Sequence, residues 1–136
     1  MIDSLAKMIE DGFGITEKYN CAEKIVRGAN IAYGLELPDA ALRMMSGFGG
    51  GMGGGEVCGT ISGAVAVLSY LLVRDQAHTA TELKPATQRF IKEFREQLGV
   101  TQCIELRPKY RTKEHGCDYI ITTAASILDG IVQEIA

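Results

Sequence analysis

Residues 57–73 read VCGTISGAVAVLSYLLV, seventeen positions without a charge. A helix of that composition either spans a membrane or lies enclosed in a protein core. Seventeen residues stand at the short edge of the spanning range. Gly59, Thr60, Ser62, Gly63 and Ser69 interrupt the apolar run, Arg74 and Asp75 close it, and no aromatic belt flanks it. The stretch therefore predicts a central buried helix and no membrane partner.

The segments on either side read as helices that cover it. Residues 2–11 predict a short amphipathic helix, stopped by Gly12 and Gly14. From Asn20 to Tyr33, apolar residues at Ala22, Ile25, Val26, Ala29 and Ala32 follow the three-and-four spacing of one helical face. Asn20 supplies an N-cap, Glu23 completes a capping box and Gly34 ends the helix. Leu37-Pro-Asp opens a third helix through Met45. Residues 79–98 predict another, with Phe90, Ile91, Phe94 and Leu98 inward; Pro85 either kinks it or marks its true first turn. Thr101 to Leu106 reads as one short turn capped by Thr101, and Arg107 to Gly116 as a polar loop. The last helix, from Cys117, carries the seam Cys117, Ile121, Ala124, Leu128, Ile131 and Ile135. No segment alternates with period two. The fold class is all-α: one compact domain, residues 1–136, of five to seven helices, with a Gly-rich loop ahead of the central helix.

Composition narrows the function. A chain of 136 residues can bury a full core without metal or disulfide. A net charge of −3 argues against a nucleic-acid binder built on a basic face. Four cysteines are too few for a disulfide-built secreted scaffold. The segment Met1–Glu10 has an early acid and no apolar run, which predicts no secretory signal and a cytoplasmic chain with reduced thiols.

Cys21, Cys58, Cys103 and Cys117 carry the chemistry. No two stand as C-x-x-C, so zinc-ribbon, thioredoxin and bacterial ferredoxin spacings are absent. Their placement says more, because each falls at the start of its own predicted helix. A helix N-terminus offers partial positive charge and free N–H donors, which favour thiolate over thiol. Four such starts, brought together, make a pocket for sulfur anions, bare or bound to metal. The four cysteines are thus candidates for redox catalysis and for metal ligation, with Cys21 and Cys58 expected as the first thiolates. Any one of them, taken singly, reads better as a buried packing residue; it is four at four helix starts that packing explains less easily.

Seven glycines fall between Gly47 and Gly55. The formal G-x-G-x-x-G at Gly49, Gly51 and Gly54 lacks the strand and βαβ unit of a dinucleotide site. The run reads instead as a turn whose N–H groups form a nest beside Cys58. Gly55 and Gly59 flank Cys58 and are the candidate backbone contacts to a cofactor. Gly59 and Gly63, four apart, suit close helix packing, within the chain or across a homodimer. Glu56 reads as a cap. His78 reads as a surface residue, and His115, two positions before Cys117, as a solvated loop residue or a modulator of that thiol. The cations Arg107, Lys109, Arg111 and Lys113 read as a solvated run, or as a patch for an acidic partner or an anionic substrate.

Tyr19-Asn-Cys-Ala-Glu23, Ser46-Gly-Phe-Gly-Gly-Gly-Met52, Gly55-Glu-Val-Cys-Gly-Thr-Ile-Ser-Gly63, Cys103-Ile-Glu-Leu106 and Gly116-Cys117 occur in that order. In this the chain resembles the redox-active proteins named for the pattern C_GCAxxG_C_C, over nearly all of its length. Thr60 departs from the pattern, which usually has Ala, and as a small residue it is expected to change little. The resemblance implies a four-cysteine redox centre in a small helical protein, with an undefined redox partner. A related helical domain in split-Soret-type cytochromes, where an iron–sulfur centre has been considered, favours iron–sulfur over zinc. Zinc on four cysteines, and metal-free thiol chemistry, remain open.

Overall fold

The computed structural model describes residues 3–135. Among these residues there are seven α-helices: α1 Leu5–Glu10, α2 Cys21–Ala32, α3 Asp39–Arg43, α4 Gly59–Leu72, α5 Leu83–Leu98, α6 Cys103–Tyr110 and α7 Asp118–Ile135. Among the described residues there is no strand, only two isolated antiparallel bridges, Val57 with Gln102 and Thr112 with Gly116. The all-α expectation holds. No helix among these residues is long and apolar enough to cross a membrane.

α4 packs against α2, α5 and α7 and so occupies the middle of the bundle. Ile61, Ala64, Val67 and Leu68 are buried on it. Its enclosure is incomplete, since Tyr70 is half-exposed and donates its hydroxyl to the Leu35 carbonyl at 3.0 Å. Phe90 and Phe94 of α5 are fully buried, and Ala124, Leu128 and Ile131 of α7 complete the core. Burying each large side chain contributes about 1.5–3 kcal/mol. The α7 seam stays inward as far as Ile131, and Ile135 is exposed.

Small residues set the closest helix approach. A Cβ on Gly63 would stand 3.1 Å from both the Ala22 carbonyl oxygen and Ile25 Cβ. The small-residue face of α4 is therefore used inside the chain, against α2. The capping box of α2 forms as read: Glu23 N–H donates to Asn20 Oδ1 at 3.0 Å and Asn20 N–H to Glu23 Oε1 at 3.0 Å.

Several boundaries differ from expectation. α1 is capped by Ser4 and begins at Leu5; the predicted start at Ile2 lies outside the described residues. α3 ends at Arg43, short of Met45, with Pro38 as its N-cap. Pro85 stands third in α5, in the first turn, where a missing N–H costs nothing and no kink is needed. α6 is longer than one turn and runs through Pro108 to Tyr110. Tertiary anchors hold that end: Tyr110 donates to the Leu98 carbonyl at 3.0 Å, and its ring stacks on Tyr119 at 5.5 Å.

Candidate thiol centre

The backbone around Cys58 and Cys103 positions two helix starts as one unit. Cys58 N–H donates to the Thr101 carbonyl at 2.9 Å, and Cys103 N–H to the Glu56 carbonyl at 2.7 Å. These bonds flank the Val57–Gln102 bridge and tie the start of α4 to the start of α6. Cys58 is the N-cap of α4 and Cys103 the first residue of α6. Cys21 opens α2, and its sulfur lies against Gly59, where a Cβ would approach within 2.5 Å. Cys117 immediately precedes α7, its carbonyl accepting from Ile121 N–H at 3.0 Å.

The glycine run joins α2 to this unit. Asn20 donates its side-chain amide to the Ser46 carbonyl at 2.9 Å, and Gly49 leaves the space that the Asn20 side chain fills. Gly50, Gly51, Met52 and Gly53 all have positive φ, one left-handed turn in which Met52, at φ 58°, is the residue with a side chain. Left-handed backbone costs a side-chain-bearing residue roughly 1–2 kcal/mol, which explains the glycines around it. Gly51 packs against Cys103, where a Cβ would stand 2.9 Å from the cysteine Cβ.

All four cysteines line one cavity of about 470 Å³ and all four are unpaired. Cys58 and Cys103 are buried, at 5% and 8% exposure, whereas Cys21 and Cys117 are half-buried. The wall also carries Lys18, Lys24, Arg107 and Arg111 against two carboxylates, Glu114 and Asp118. Gly50 is part of this wall; Gly55 packs on Ile104 and Gly59 on Cys21. Glu56 contributes its carbonyl and not a side-chain cap. His115 lines the cavity and His78 lies exposed elsewhere. Among the described residues no three His, Cys, Asp or Glu side chains are grouped closely enough to hold one metal ion.

The expectation of an early thiolate at Cys58 is overturned. Burial pushes its thiol up to about 11, against hydrogen bonds from Thr60 that pull it down. Burial likewise raises Cys117, opposed by the charges of Arg111 and Arg107. A helix start favours the anion, but loss of water opposes it, and at Cys58 and Cys117 desolvation wins.

Thr60 does more than fill the place of Ala. It is fully buried, and its hydroxyl stands 3.0 Å from Cys58 Sγ. Thr60→Val keeps the shape and removes the hydroxyl. In metal-free protein this should lower the thiolate fraction of Cys58 about three- to ten-fold, the worth of one hydrogen bond. Alkylation rate against pH, followed at Cys58 by mass spectrometry, reads the shift; an unchanged profile would sink the assignment. Because the folded state holds this proton from the ordinary value of 9.0 up to about 11, metal-free protein should lose stability as pH rises through that window.

A helical bundle that gathers four unpaired cysteines at four helix starts into one cavity is a multi-thiol protein by architecture. The chain matches, over residues 19–131, the family described as "Putative redox-active protein (C_GCAxxG_C_C)", and it belongs to that family. No curated protein and no solved structure matches it.

Sequence reading leaves Arg107 and Arg111 in a loop that could draw an anionic substrate to the cysteines, and does not place them on the helix that begins at Cys103. The signal is present: Cys103 and Arg107 are four apart, hence on one helical face, and Arg111 is the C-cap once α6 is allowed to run through Pro108.

Proposed function

We propose that Cys21, Cys58, Cys103 and Cys117 act as a single redox centre, and that the centre holds an iron–sulfur cluster used in electron transfer. The observation that carries this reading is the convergence of all four thiols on one cavity with an excess of cations. The donor set suits a cluster. A lone tetrahedral zinc needs four sulfurs about 2.3 Å from one point, and no three side chains among the described residues are grouped for one ion. Four cysteine thiols lining one cavity are the ligand type and number of a polynuclear iron–sulfur centre. When bound, such a cluster supplies one-electron chemistry.

The chain's own residues then have defined tasks. The four thiols must give up protons, so loading depends on pH, and burial holds the Cys58 proton on. Arg107 and Arg111 offset the negative charge that four thiolates bring into a partly buried site. Thiols that must stay reduced to hold a cluster suit a reducing, cytoplasmic setting.

Anaerobic purification, a visible spectrum, and iron, sulfide and zinc analyses on one sample test the proposal. The expected result is visible absorption with stoichiometric iron and sulfide, lost in each single Cys→Ser variant. If two of the four variants keep full iron content, a shared centre is wrong. A colourless protein with one zinc would establish a structural zinc site on the four cysteines instead. A reconstituted sample that stays metal-free with four titratable thiols would move the function to thiol–disulfide or sulfur-transfer chemistry.

A further inference from the structure

We propose that Arg107 and Arg111 make the mouth of the cysteine cavity an anion port, drawing a small anionic reactant to the thiol centre. The inference rests on the reading that this cavity is the redox centre, and it adds the charge and size class of what enters it.

Arg107 lies on the α6 face that begins at Cys103, and Arg111 is the C-cap of that helix, its N–H donating to the Arg107 carbonyl. Both line the cavity and both are exposed. Neither forms an ion pair among the described residues. The wall's other charges do not cancel them. Lys24 is paired with Asp118 at 3.7 Å, which leaves Glu114 facing Lys18, Arg107 and Arg111. This local positive excess sits on a chain of net charge −3, so it belongs to the site and not to a generally basic surface.

Size favours a small reactant over a protein. Cys58 and Cys103 lie deep, at 5% and 8% exposure, within a cavity of about 470 Å³, a small-molecule volume that a convex partner surface does not fill. Cys117 is half-buried and lines the same cavity as both guanidinium groups. A carboxylate or other oxyanion matches the guanidinium fork, and the half-buried Cys117 is the thiol whose alkylation reports that charge in metal-free protein.

The test compares two alkylating reagents of similar size, anionic iodoacetate and neutral iodoacetamide, on reduced, metal-free full-length protein. Labelling is resolved at Cys117 by mass spectrometry. The ratio of the two rates at one thiol cancels its thiolate fraction and isolates the field at the mouth. Arg107→Gln with Arg111→Gln should lower the iodoacetate-to-iodoacetamide ratio on the order of ten-fold, and high salt should lower the wild-type ratio likewise. Arg107→Lys with Arg111→Lys should keep most of the preference, and its thermal melt controls for folding. A ratio unchanged in the Gln variant overturns the port, as does a Lys variant that melts normally and loses the preference. Failure of the cluster reading shows separately, in the iron and sulfide content of wild-type protein, and leaves this ratio untouched.

Discussion

Asp129→Ala should destabilise the protein by about 3–5 kcal/mol, from the loss of several hydrogen bonds to one charged acceptor. Asp129 lies late in α7, yet it serves the first helix. Its carboxylate accepts from Leu5 N–H at 2.9 Å, Ala6 N–H at 3.0 Å and the Ser4 hydroxyl at 3.1 Å. It also accepts from the Tyr33 hydroxyl at 2.7 Å, just past the end of α2. Leu5 and Ala6 open α1, so their N–H groups have no partner within that helix. A helix of six residues does not stand alone and depends on such ties. Each hydrogen bond to a charged group contributes roughly 1.5–3 kcal/mol, less than additively when they share one acceptor. Against a typical total of about 5–15 kcal/mol, the loss is large. In a domain of this size it corresponds to a fall in melting temperature of roughly 10–20 °C. Asp129→Asn keeps one acceptor oxygen and should cost about half as much. Tyr33→Phe should cost about 1–2 kcal/mol and lose most of that effect in the Asp129→Ala background. The Tyr33 hydroxyl is held well above the ordinary tyrosine range, by burial first and then by the Asp129 carboxylate, so it stays a donor throughout. A denaturant melt showing less than about 1 kcal/mol for Asp129→Ala would refute the tie as a stabilising one.

That tie was not legible in the sequence, and the reason is physical. Asp129 and Leu5 are 124 residues apart, and no local pattern marks a carboxylate as another helix's cap. Local devices were legible. Asn20 with Glu23 specified the start of α2, because both partners of a capping box lie within one turn. The uncharged run before Arg74 specified α4, because only a core accommodates it. Pro108 misled, since proline weakens a helix interior, yet the Tyr110 anchors hold α6 past it. The convergence of the four cysteines was legible, but Gly50 lines their cavity in place of the expected Gly55 and Gly59, and the proton chemistry was not legible. Helix starts placed four cysteines around one cavity, but the burial that raises the Cys58 thiol depends on how the starts meet. Thr60 shows the same limit: its size predicted a silent replacement for Ala, whereas its contact with Cys58 Sγ depends on the fold around it.

Gly59→Ala is the substitution in which fold and site are hardest to separate, and a paired control separates them. By helix propensity alone, Ala at an exposed helix position would gain about 1 kcal/mol. At Gly59 the new Cβ would lie 2.5 Å from Cys21 Sγ, 2.8 Å from the Phe48 carbonyl oxygen and 3.3 Å from Ala22 Cβ. The carbonyl is backbone and cannot swing away, so the Cys21 sulfur or the α2–α4 spacing must yield. Overpacking of this kind costs about 1–3 kcal/mol and outweighs the propensity gain. Gly63→Ala, one turn later, meets the Ala22 carbonyl and Ile25 Cβ at 3.1 Å and touches no thiol. Both variants should therefore melt earlier than wild type. Gly59→Ala should in addition change the alkylation rate of Cys21 in metal-free protein and lower the iron bound per chain after reconstitution. Gly63→Ala should leave both readouts near wild type. The pairing tests a specific physical claim: the absent side chain at Gly59 is the space that holds the Cys21 sulfur against the start of α4. If Gly59→Ala melts like wild type and Cys21 reacts unchanged, that space does not position the thiol, and the glycine serves helix spacing alone.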